Sequence, residues 1–174
     1  FQKKLKINGF LSIDSSATKS QLSKQLYSIN SIRYGRTPAS AKLKEKLLHP
    51  SDCNKPIKKI ISEWHIANLD DSKKEAIQRA VSANDFFVVE GPPGTGKTTF
   101  IAELILQYLK KFPDQRVLIT SQTHIAVDNV IERVAGIKPS LKMTRVGRED
   151  KVSKEVKPYT LDSRIKVWRQ EVEA

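Results

Sequence analysis

Apolar residues fall along this chain in two kinds of pattern. From Thr18, Leu22, Leu26 and Ile29 recur at helical spacing, and Tyr34-Gly35 offers a stop. Pro38 is expected to open a second helix with Leu43 and Leu47 on one face. His49-Pro50 ends it, because the residue before a proline is pushed out of the helical region. Residues 50–56 read as linker. Ile7 to Ile13 fits a short strand or a loop, and the short apolar stretch Ile57 to Trp64 fits helix and strand equally well.

Beyond Leu69 the pattern sharpens. Asp71 or Ser72 can cap a helix, Ser72 with Glu75 fits a capping box, and Ala76, Ile77, Ala80 and Val81 form its apolar stripe. Phe86 to Val89 is a continuous apolar run, as in a strand buried on both faces. A helix is expected from Lys97 to about Lys111, with Phe100, Ile101, Leu104, Ile105 and Tyr108 inward, then a turn at Phe112-Pro-Asp-Gln. Val117 to Thr120 predicts a second strand, His124 to about Val134 a helix with Gly136 just past its end, and Leu141 to Val146 a third strand. Leu161 to Glu173 predicts an amphipathic helix. Strands alternating with helices in this way imply an α/β fold with a parallel sheet flanked by helices. With three strands the sheet is unfinished and leaves an apolar edge unpaired.

Charge divides the chain further. It carries 31 Lys and Arg against 19 Asp and Glu, a net +12. Residues 1–67 hold 13 of the basic residues and only 4 of the acidic ones. We therefore separate a basic, mainly helical segment (1–67) from an α/β domain (68–174). Such a basic segment either attracts phosphate backbones or is a solvated surface. One cysteine, Cys53, permits no internal disulfide, and no Cys/His cluster suggests a structural metal. No apolar run is long enough for a membrane span. The start, Phe1-Gln-Lys-Lys, lacks an initiator Met and any signal-peptide pattern, which predicts a piece of a longer, intracellular protein.

Candidate chemistry centres on Gly91-Pro92-Pro93-Gly94-Thr95-Gly96-Lys97-Thr98, which meets the phosphate-loop template G-x-x-x-x-G-K-[ST] with a strand before it and a helix after it. Glycines let the backbone turn its N–H groups into one concavity, and the following helix adds its positive end. Lys97 supplies a cation to the β- and γ-phosphates of ATP, and Thr98 a hydroxyl ligand to Mg²⁺. Residues 91–98 and Thr99 are the expected nucleotide-binding set, with Lys97 and Thr98 acting in catalysis.

The loop alone also resembles AAA+ ATPases. Three further segments narrow the reading: Leu69-Asp-Asp-Ser-Lys-Lys-Glu-Ala-Ile77 before it, then Val117 to Asn129, then Thr144-Arg-Val-Gly147. In this order they resemble superfamily 1 helicases of the 5′→3′ branch, over residues 69–148. The resemblance implies the first part of a RecA-like P-loop NTPase domain in an ATP-dependent helicase or translocase acting on single-stranded or partly duplex DNA or RNA. It implies that Thr123 and His124 contact the strand, as Arg145 and Arg148 do in the next segment; His124 is otherwise a helix cap. Asp128 then holds the loop. Where the family reads adenine with a glutamine, this chain has Lys73, whose ammonium donates but cannot accept. The family's acidic pair, expected after a buried strand, has no counterpart here, and Glu149-Asp150 lacks that setting. The stretch alone is therefore expected to bind nucleotide weakly and not to turn it over. Two other readings stay open: a remodelling ATPase of the AAA+ type, and a nucleic-acid-binding module with a vestigial loop.

Overall fold

The computed structural model describes residues 16–36, 41–147 and 149–173. The segment Ile7 to Ile13, the opening at Pro38 and Arg148 lie outside them. Two compact units form, one up to Cys53 and one from Asn54.

The first unit contains α1 (Ser16–Arg33) and α2 (Ala41–Leu48). Gly35 leaves α1 with φ +66°, a left-handed turn that glycine adopts without strain. Lys44 Nζ donates to the Arg33 carbonyl at 3.2 Å. Leu22, Leu26 and Ile29 are exposed.

The second unit is built on α3 (Asp71–Ala80), α4 (Lys97–Lys111) and α5 (His124–Ile137), with α6 (Leu161–Glu173) last. Asp70, one residue ahead of the two expected caps, caps α3: its carboxylate accepts from the Lys73 N–H at 2.8 Å. Helix α4 keeps the expected bounds. Helix α5 runs on to Ile137, so Gly136 lies inside its last turn. Both α3 and α5 pack on α4. Their shared core joins Leu69, Ile77, Val81, Phe100, Ile105, Leu106, Val130 and Val134. Each such side chain contributes on the order of 1.5–3 kcal/mol by leaving water. Ile66 joins the same core, with Trp64 packed against it, so the end of the segment read from its charge as basic front belongs to this unit.

A buried polar clasp accounts for that. Glu103, fully buried on α4, accepts from the backbone N–H of His65 at 3.0 Å and of Ile66 at 2.9 Å. Gln107, one turn on, donates from Nε2 to Glu103 at 2.7 Å and to the Glu63 carbonyl at 2.8 Å. Residues 63–66 are thereby fastened along α4, just before the segment that begins α3.

The expected strands differ from the structure. Among the described residues there is no strand ladder, only one parallel bridge between Arg145 and Thr160. Val88 and Leu118 are 79% and 88% exposed, not buried on both faces. A strand is stable only when its N–H and C=O groups find ladder partners; among the described residues the first two runs form no bridge and the third forms only the one at Arg145. No described helix is long and apolar enough to cross a membrane.

Candidate functional site: a phosphate loop and a helix N-terminus

The loop from Gly91 enters α4 directly. Gly94 and Gly96 have φ of +81° and +78°, where an L side chain is strained. Gly91 serves through closeness instead: a Cβ there would stand 3.0 Å from Thr95 Oγ1 and 3.3 Å from Lys97 Cγ. Thr95 Oγ1 donates to the Pro92 carbonyl at 2.9 Å, which closes the loop on itself. Gly96 is the N-cap of α4 and has no side chain to offer, so the first-turn amides of the helix keep their donors for a ligand. Pro92 to Lys97 are exposed, and Thr98 and Thr99 half-buried.

Lys97 folds back over this loop. Its Nζ donates to the Gly91 carbonyl at 2.6 Å and the Pro92 carbonyl at 2.7 Å. A polyphosphate offers stronger, charged acceptors to the same ammonium. The donor set of exposed amides plus a nearby cation fits such a group. For Mg²⁺ the fit is thinner: Thr98 offers one hydroxyl, and no group of three His, Cys, Asp or Glu converges among the described residues.

Lys73 also reaches the loop. Its Cε would lie 3.3 Å, and its Nζ 3.8 Å, from a Cβ on Gly96. The ammonium pairs with Asp70. That hydrogen bond, with the backbone N–H of Lys73, holds the exposed Asp70 carboxyl down at about 2. The clasp at Glu103 thus fastens the chain that carries Lys73 to the helix that carries Lys97.

The second candidate region is the start of α5. Thr123 is its N-cap, and its Oγ1 accepts from the Ala126 N–H at 3.4 Å. His124 is therefore the first helical residue rather than the cap, and it is exposed. Arg145 departs from expectation: it is buried, at 7% exposure. Its Nε donates to Asp128 Oδ1 at 2.7 Å, Nη1 donates to the Val146 carbonyl, and Nη2 lies 3.3 Å from His124 Nδ1. Asp128 Oδ2 accepts from the Ser153 N–H at 3.1 Å. Gly147, with φ +145°, leaves the space: a Cβ there would meet Arg145 Nη1 at 2.9 Å. The guanidinium has its partners inside the protein, so it is not a surface group awaiting a strand. Asp128 is structural, as expected.

Sequence reasoning missed Glu103 and Gln107. One signal was present: an acid and an amide four residues apart, flanked by Ala102, Ile105 and Leu106 on the inward face of a helix.

Compared with known families, residues 68–173 match a family described as an AAA domain. An uncharacterized ATP-dependent helicase of Methanocaldococcus jannaschii is 40% identical over 114 residues, which is 65% of this chain and 17% of that protein. The DNA polymerase alpha-associated DNA helicase A of Saccharomyces cerevisiae is 41% identical over 95 residues, 55% of this chain and 14% of its own length. The DNA-binding protein SMUBP-2 of Mus musculus is 33% identical over 153 residues, 88% of this chain and 15% of its own length. The chain thus spans less than a fifth of each relative.

Proposed function

The chain belongs to the AAA domain family of P-loop NTPases, and from that membership we propose that it is the ATP-binding portion of an intracellular ATP-dependent nucleic-acid helicase. The observation that carries the reading is the uncapped, glycine-led start of α4 beneath an exposed Lys97. In this reading residues 91–99 hold the nucleotide. The first-turn amides of α4 take its phosphate oxygens. Lys97 leaves the Gly91 and Pro92 carbonyls to neutralise the β- and γ-phosphates. The Thr98 hydroxyl is a ligand for Mg²⁺, which when bound supplies charge neutralisation at the transferred phosphoryl group.

The relatives are named as helicases and DNA-binding proteins, and that supports a nucleic-acid substrate. Thr123 and His124, exposed at the start of α5, are the proposed contacts to a single-stranded or partly duplex backbone. We assign Phe86–Val89, Val117–Thr120 and Leu141–Val146 to a parallel RecA-like sheet, preceded by the basic segment 1–67. The runs Val117–Thr120 and Leu141–Val146 line one groove of about 1020 Å³ together with Leu109 of α4 and Val134 of α5, so both already face the helices on which such a sheet would pack.

The test is steady-state ATP hydrolysis by the full-length protein with and without single-stranded DNA or RNA. Stimulation by the strand is expected. Hydrolysis indifferent to either nucleic acid overturns the helicase reading.

A further inference from the structure

Arg145 has a connection that packing alone does not require. Its Nη2 lies 3.3 Å from Nδ1 of His124, an exposed residue at the first turn of α5. A guanidinium has five N–H donors and no acceptor. The contact is therefore a hydrogen bond only when His124 Nδ1 is unprotonated and accepts. A neutral imidazole that accepts at Nδ1 carries its proton on Nε2. Asp128 and the Val146 carbonyl fix the guanidinium from two other sides, so its orientation does not drift. The backbone of Arg145 is fixed too: its N–H donates to the Tyr159 carbonyl at 2.6 Å, and its carbonyl accepts from the Leu161 N–H at 3.2 Å.

We propose that Arg145 is a positioning residue that holds His124 as the Nε2–H tautomer, so that the imidazole presents a donor to a phosphate oxygen of a bound single strand. The ligand rests on the nucleic-acid reading above; the tautomer does not. The side chains divide the work. Asp128 orients Arg145, Arg145 sets the proton position on His124, and of these three only His124 meets the strand. The start of α5 adds a favourable partial positive charge for the same anion.

The experiment uses the full-length protein labelled with ¹⁵N at its histidines, His124 being assigned through the signal lost in His124→Phe. Two-bond ¹H–¹⁵N correlations read the tautomer without ligand, and titration with a fluorescent oligothymidylate reads strand affinity. Wild type is expected to show the Nε2–H form, and Arg145→Lys a mixture of both tautomers. His124→Phe is expected to weaken strand binding about tenfold, the worth of one hydrogen bond, and Arg145→Lys about twofold, because roughly half of its molecules keep the Nε2–H donor. Ser153→Ala removes only the 2.7 Å bond to Glu132 and is expected to keep both readouts at wild-type values. An Nδ1–H tautomer in the wild type overturns the proposal, as does an unchanged tautomer in a folded Arg145→Lys. If Arg145→Lys does not fold, the wild-type spectrum and the His124→Phe titration decide it. An Nε2–H tautomer with undiminished binding by His124→Phe overturns the phosphate ligand, and with it the nucleic-acid reading at this helix, while the Arg145 contact stands.

Discussion

Helices α4 and α5 both begin at a candidate anion site, yet they are opened in opposite ways. Gly96 caps α4 with no side chain, and the cation above it rests on loop carbonyls that a phosphate can displace. Thr123 caps α5 with its own hydroxyl, and the next residue is wired to a buried ion pair. The first arrangement leaves donors free and depends on glycines at positive φ, where an L side chain would be strained. The second satisfies one of its donors, the Ala126 N–H, with the cap itself and offers a fixed side chain. A polyphosphate that must be bound, cleaved and released suits the first, and a backbone gripped without sequence reading suits the second.

Breaking the buried pair tests the contrast hardest. Arg145→Met leaves Asp128 buried without its cation, and stability is expected to fall by about 3–5 kcal/mol, measured by denaturant unfolding. The phosphate loop has no comparable buried charge to orphan. Gly96→Ala comes next: an alanine at φ +78° is strained, and about 1–2 kcal/mol should be lost together with nucleotide affinity. Thr123→Ala removes a cap whose bond is long, 3.4 Å, and is expected to cost about 0.5–1 kcal/mol and to leave nucleotide affinity unchanged. If Gly96→Ala and Thr123→Ala affect nucleotide binding alike, the division between the two helices is wrong.

The smallest effect concerns Asp70. Its folded carboxyl titrates at about 2, below its ordinary value of 3.8, chiefly because of the Lys73 side chain. The folded state thus holds this proton less tightly than the unfolded chain. The contribution is fully present above the unfolded value and is lost as pH falls from near 4 to near 2. Asp70→Asn should flatten the acid limb of stability slightly over that window, in unfolding curves taken at each pH.

What the sequence made legible was local. Helices α4 and α6 have the bounds that apolar periodicity predicts, because each pattern is complete within one element. The α3 cap fell one residue early, since Asp70, Asp71 and Ser72 are all good caps and only geometry separates them. Gly136 read as a stop, but it is tolerated inside α5. The polar interior was not legible. Glu103 meets N–H groups 37 and 38 residues away, and Arg145 meets Asp128 at a separation of 17. No local pattern encodes such partners, so a conspicuous arginine read as a surface contact. The strand runs were identified by apolarity alone, whereas ladder formation depends on neighbours outside each run.

The central claim is that the uncapped start of α4 and Lys97 together bind the phosphates of ATP. Its most direct measurement is the equilibrium titration of a fluorescent ATP analogue against the full-length protein and its Lys97→Ala variant. The account predicts affinity weakened at least about tenfold in the variant, the loss of a charge-assisted contact. Equal affinity in the two proteins contradicts it.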